Sequence, residues 1–261
     1  MNVSNARSVL LELAEGVDPK PGRVRLELDE RLAVLTLDNA GSRNAVTVQM
    51  MVDLAEAVMT LQEWNGSAVV LRSADPSIFC AGGHLGQLKR AVSNRDEALL
   101  MCAAMTVVLD GLLELPQVSV AALGALAVGG GAELATACDF RVAHPDAEIH
   151  FIHSKLGIAT GWGGAGRLVK HIGRRQALWV LLDGEPIDAA SARDLGLVDA
   201  IADDADAGAR ALLEVVLGRA PEAVRALKRQ VVADDPAGAF ADVWGGPAHQ
   251  AALSALGSHT D

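Results

Sequence analysis

Apolar and polar residues alternate from Val24 onward, with Val24, Leu26 and Leu28 on one side, Leu32 and Val34 resuming the pattern, and Asp29 and Glu30 between them. A period of two with a polar break predicts a β-hairpin over residues 24–34. After a loop at 39–44, the apolar positions Met51, Leu54, Ala55, Val58 and Leu61 recur at helical spacing, and Thr47 is placed to cap that helix. A short buried strand at 69–71 leads past Asp75-Pro76-Ser77 into a glycine turn at 81–84 and a further helix. The plan then returns: a helical pattern over 97–115 ended by Pro116, a buried strand over 118–123, a second glycine turn, and a small-residue helix over 132–138. Short strands are expected at 140–143 and 149–152. Helical patterns follow at 168–172, 177–182, 205–217 and 221–232. Strands before about residue 160 and helices after it predict an α/β core with a helical C-terminal extension.

The composition narrows the function classes. A chain of 261 residues that is 51% hydrophobic is too apolar for disorder and long enough for a substantial core. Its 22 basic and 33 acidic residues give 22 − 33 = −11, which argues against duplex nucleic acid or an anionic membrane as partner. Four Trp, four Phe and no Tyr, without interleaved basic residues, offer no stacking platform for single strands. An anionic ligand must therefore be met by a few focused cations or by backbone N–H groups. Cys80, Cys102 and Cys138 are odd in number and lack CxxC spacing, as suits a reducing compartment. The N-terminal patch Val9, Leu10, Leu11 is flanked by acids, unlike a signal peptide, and the most apolar stretch, 118–128, is about half the roughly 20 residues that a membrane span needs. A cytoplasmic protein is expected.

Two glycine turns carry the candidate chemistry, Ala81-Gly82-Gly83-His84 and Val128-Gly129-Gly130-Gly131-Ala132-Glu133. Each follows an apolar strand and precedes a helix. Facing one another, they would aim one N–H each at a single oxygen and form an oxyanion hole. The alternative is close packing that only glycine permits. Residues 161–166 formally match GxGxxG, but they follow the last expected strand and open a helical tail, which is the wrong context for a dinucleotide fingerprint. His150 and His153 would point to opposite faces of an extended segment, so no metal site is expected.

FCAGGHL, ALAVGGGAELATACDFRVA, LGIATGWGGAGRLVKHIGRRQAL, GEPIDAASARDLGLVDAI and PEAVRALKRQV together resemble the crotonase (enoyl-CoA hydratase/isomerase) superfamily over residues 24–232. The resemblance implies a spiral of ββα units. Residues 1–200 would hold the acyl-CoA site, and a helical segment at 201–261 would serve oligomerisation and cover the CoA in a homotrimer or hexamer. By the same resemblance the Gly83 and Gly130 N–H groups stabilise a thioester enolate, Arg43 and Lys228 meet the CoA phosphates, and Ala81, His84 and Trp162 contact the substrate. No cofactor is implied beyond the coenzyme A, or the arm of an acyl carrier, that the substrate itself brings.

Carboxylates decide the reaction. Hydratases of this superfamily hold their water with two glutamates; Glu133 fills the first place, but His153 stands at the second, four residues before Gly157. A Glu133–His153 pair suits acid/base chemistry near neutral pH, with Glu133 expected to be protonated or paired with His153. HFIHSKLGIATGWGG and VWGGPAHQAAL look most like the ethylmalonyl-CoA/methylmalonyl-CoA decarboxylase branch. The expected activity is therefore decarboxylation of a malonyl-type thioester, a lyase reaction in which His153 or Glu133 returns the proton. The alternatives are hydration or isomerisation of a 2-enoyl thioester, and a non-catalytic scaffold.

Overall fold

The computed structural model describes residues 1–232 and 235–257. Helix α1 (Val3–Glu15) comes first, capped by Asn2, whose side-chain oxygen accepts the Asn5 N–H at 2.9 Å. It presents Val3, Ala6 and Leu10 to the core. Strands β1 (Arg23–Leu28) and β2 (Leu32–Asp38) form the expected antiparallel hairpin. Helix α2 (Val48–Glu63) starts at Thr47, whose hydroxyl accepts the Met50 N–H at 3.1 Å.

Three further units repeat one arrangement. Strands β3 (Ala68–Ser73) and β4 (Ile78–Cys80) precede helices α3 (Leu85–Ala91) and α4 (Arg95–Leu113). Strands β5 (Val118–Leu123) and β6 (Leu126–Val128) precede α5 (Gly130–Ala135), and β7 (Phe140–Ala143) and β8 (Glu148–His150) precede α6 (Gly164–Asp183). The chain then runs through β9 (Pro186–Asp188), α7 (Ala189–Asp194), β10 (Ala200–Ile201), α8 (Ala205–Leu217), α9 (Pro221–Val232), α10 (Pro236–Val243) and α11 (Pro247–Gly257). The first strand of each unit joins a sheet of order β1-β2-β3-β5-β7-β10, and the second joins a smaller sheet of order β4-β6-β8-β9. That splitting, repeated unit after unit, is the spiral.

The large sheet is buried on both faces. Leu35, Leu37, Val69, Leu71, Ala121 and Leu123 face the main core with α1, α2 and α4, whereas Val70, Val120, Ala122 and Val142 meet Ala205, Ala209 and Leu213 of α8. Two-sided burial explains why these strands read as continuous apolar runs rather than as an alternation.

The sequence patterns miss two features. Helix α1 lay within a segment read only for its lack of a leader. The strand expected over 149–152 stops at His150, because residues 152–156 turn into a 3-10 helix ending on Gly157 at φ 68°. The helices expected at 168–172 and 177–182 are both present, as two helical segments of α6 separated where Gly173 leaves helical geometry at φ 77° and ψ 159°. No helix among the described residues is long and apolar enough to cross a membrane.

Candidate active site

Strands β4 and β6 run parallel and adjacent, so their C-terminal ends deliver the two glycine turns side by side. Gly82 at φ 90° and Gly129 at φ 55° turn the chain there, in a region that side chains with a Cβ seldom enter. Residues 43–46 lie along the first turn: the Ala81 N–H donates to Arg43 O at 3.1 Å, the Val46 N–H to Gly82 O at 2.7 Å, and the His84 N–H to Val46 O at 2.8 Å. This alternation directs the Gly83 N–H away from residues 43–46, and it finds no acceptor among the described residues. Gly130 opens α5, so its N–H belongs to the group that a helix leaves unbonded. The turns touch: a Cβ built on Gly82 would lie 2.8 Å from Val128 O and 3.2 Å from the Gly130 N.

Glu133, on α5, is 1% exposed, and its carboxylate is fully engaged. Oε1 accepts the Gly161 N–H at 3.1 Å and faces His153 Nε2 at 3.0 Å; Oε2 accepts the Trp162 and Gly164 N–H groups, each at 2.8 Å. Glu133 and His153 are thus a pair. An acceptor-only carboxylate facing Nε2 requires the proton on that nitrogen. His153 Nδ1 is buried without a hydrogen-bond partner among the described residues, and the ring abuts the second turn, with Nε2 4.0 Å from a Cβ built on Gly129. The GxGxxG match is explained as well. Its N–H groups at the start of α6 cradle an anion, but the anion is the protein's own carboxylate.

Several residues that the sequence patterns did not single out support this arrangement. Arg167, 1% exposed, donates to Trp162 O through Nη2, to Asp110 Oδ1 at 2.7 Å and to the Thr136 hydroxyl at 3.3 Å. Cys102 of α4 lies 3.4 Å from a Cβ built on Gly161, and partial burial together with the Glu133 charge raises its thiol pKa. The only sequence signal was indirect: a glycine-rich helix start wants an anion, and a buried arginine three residues into that helix wants acceptors.

The remaining expected contacts divide. Ala81 and Arg43 stand at the first turn, where Arg43 is exposed and holds φ 54° in a loop pinned by Asn39 and Asn44. His84 caps α3, its Nδ1 accepting the Gln87 N–H at 3.2 Å. Trp162 is 4% exposed and lies against Gly83 and Gly130. Lys228 is not brought to the turns within this chain. Its Nζ is buried beside the starts of β5 and β7, 2.7 Å from Asp139 Oδ2 and 2.5 Å from Gln117 O, and burial lowers its pKa against the pull of Asp139. Trp244, of the VWGGPA segment, is 65% exposed and stacks on His249 with ring centroids 4.5 Å apart.

An engaged carboxylate, a histidine paired with it and two N–H groups without acceptors among the described residues thus gather at the ends of two parallel strands. The enoyl-CoA hydratase/isomerase family matches the chain over residues 27–237, and the chain belongs to that family. Among curated proteins, an ethylmalonyl-CoA decarboxylase of Danio rerio is 38% identical over 247 residues, 87% of this chain and 81% of the relative. One of Gallus gallus is 37% identical over 238 residues, covering 85% and 80% respectively. The crystal structure of an enoyl-CoA hydratase from Mycobacterium smegmatis superposes with a TM-score of 0.83 at 27% identity, covering 93% of this chain and 97% of that one.

Proposed function

We propose that the protein decarboxylates an alkylmalonyl-CoA. The observation that carries this reading is the complete engagement of Glu133: hydration needs a carboxylate with lone pairs free for water, and Glu133 has none to spare. Relatives bearing the name ethylmalonyl-CoA decarboxylase support the same choice.

In the proposed reaction the thioester oxygen accepts the Gly83 and Gly130 N–H groups. The bond between the α-carbon and the carboxylate carbon breaks, CO2 leaves, and the electron pair forms an enolate whose charge rests on that oxygen. Each such donor is worth about 2.7–4 kcal/mol of barrier in comparable sites. His153, protonated on both nitrogens, then gives its Nδ1 proton to the α-carbon and is left neutral, with Nε2–H still held by Glu133. Glu133 acts here by orienting His153 and the turn at 161–164, not by touching substrate. The thioester is its own electron sink, so the step calls for no cofactor. Arg43 meets the CoA phosphates in this reading, and Ala81 and His84 border the acyl entry.

A lyase of this kind fits a cytoplasmic oligomer, a homotrimer or hexamer. Leu178, Trp179 and Leu182 of α6, each more than half exposed, form an apolar face suited to self-association. Sedimentation equilibrium reads that state.

The activity is tested by separate incubation with ethylmalonyl-CoA, methylmalonyl-CoA and crotonyl-CoA. CO2 released from the first two, with the matching acyl-CoA formed, is the expected result. Hydration of crotonyl-CoA without CO2 release from the others would establish the hydratase reading, and silence with all three would favour a scaffold.

A further inference from the structure

Trp162 is held by its backbone from both sides. Its N–H donates to Glu133 Oε2 at 2.8 Å, and its carbonyl accepts from Arg167, which Asp110 fixes in turn at 2.7 Å. With the main chain pinned, the side chain reaches back over the two glycine turns. A Cβ on Gly83 would lie 3.4 Å from Cζ2 of the indole, and a Cβ on Gly130 would overlap Cζ3, Cη2 and Cε3. The six-membered ring therefore covers both residues whose N–H groups are unbonded. Leu88 Cδ1 lies 2.5 Å from the same Cβ position on Gly83.

We propose that Trp162, together with Leu88, sets which α-alkyl branch the site accepts. This rests on the decarboxylase reading for its substrate class but not for its geometry. A thioester oxygen bound to the two N–H groups places its carbonyl carbon one bond away and its α-carbon two bonds away, which brings a branch on the α-carbon within reach of the side chains packed on Gly83 and Gly130, the indole and Leu88. Trp162 belongs to the main core cluster, and it is the core side chain that packs on both glycines at once. A rigid, fully carbon-lined wall discriminates by size, and a hydrophobic pocket separates ligands differing by one methylene by about 10- to 200-fold.

The test compares kcat/KM for methyl-, ethyl- and butylmalonyl-CoA in the native protein, Trp162→Leu and Trp162→Phe. Trp162→Leu shortens the wall and should raise the ratio of butyl- to ethylmalonyl-CoA at least tenfold, with Trp162→Phe intermediate. A ratio unchanged within twofold in a variant that melts cooperatively overturns the proposal. Trp162→Phe keeps a ring and provides the measurement should Trp162→Leu not fold. Calorimetric binding of butyryl-CoA and 2-ethylhexanoyl-CoA to the same proteins reads the wall without turnover. If none of the malonyl thioesters loses CO2, the decarboxylase reading fails alone, and a tenfold shift in the binding ratio still upholds Trp162 while an unshifted ratio overturns it.

Discussion

Glu133 shows how a buried carboxylate can be taken up entirely by donors of its own chain. Each carboxylate oxygen takes two donors, so neither a neutral amide nor a protonated acid can replace it. In Glu133→Gln, whichever way the amide turns, two of the four donors meet an NH2 group. Leaving buried donors unpaired costs about 1–3 kcal/mol each, so the variant should lose about 3 kcal/mol of stability by urea denaturation. It should also lose most decarboxylase turnover, with the loss in kcat rather than KM, because His153 is released from its tautomer while the N–H donors remain. A variant with native stability and full kcat would show that the saturated carboxylate orients nothing. The pair itself was legible only through the family resemblance, which places a second glutamate where His153 stands. The saturation was not, because three of the donors come from residues 161–164, about thirty positions along the chain and separated by two strands and a turn. Nothing local to Glu133 announces them.

At the level of elements, legibility followed length and period. The hairpin of β1 and β2, the capped helix α2 and strand β5 were all readable, because each carries a full local signal of alternation, cap or apolar run. The strands of the small sheet are three residues each and hold no period, so although a strand was expected at 149–152 and before each glycine turn, their pairing into a second sheet was not legible. Helix α9 shows a different limit. Its periodicity located the helix, but nothing in ALKR distinguishes a lysine that reaches solvent from one that turns inward to Asp139. The structure makes this testable. Lys228→Met breaks a buried ion pair and should cost about 3 kcal/mol of stability, while leaving the affinity of a single chain for butyryl-CoA within about twofold. Arg43→Ala, at an exposed loop, should leave the melting temperature unchanged and weaken butyryl-CoA binding about fivefold at low salt, less at high salt. Lys228→Met proteins that melt normally but lose CoA affinity would restore the lysine to ligand binding, through a neighbouring subunit.

The whole molecule carries a net charge of −11, yet its interior is built around a few buried cations, and this combination shapes its response to acid. His171 on α6 sits between Thr136 O at 3.0 Å and the Arg141 guanidinium at 3.4 Å. Burial, followed by the positive charge of Arg141, lowers its pKa below 6.5, and the Thr136 carbonyl and Asp199 only partly oppose this. His150 is lowered in the same direction, again chiefly by burial. A histidine depressed in the folded state stays neutral there while the unfolded chain takes up its proton. Stability is therefore full above pH 6.5 and falls as the pH drops below it toward the folded pKa, by at most about 1.4 kcal/mol per pH unit for His171. The carboxylates Asp75, Glu97, Glu185 and Asp188 have the opposite shift relative to charge: their stabilisation is present above the ordinary carboxylate range and is lost only below it. Two separate windows follow, one from about pH 6.5 downward and one below about pH 4. Urea midpoints measured between pH 7.5 and 4.5 should decline within the first window, and His171→Gln, which keeps a donor for Thr136 but cannot be protonated, should flatten that decline. An equally steep decline in the variant would move the acid response away from α6, to groups that the fold leaves in water.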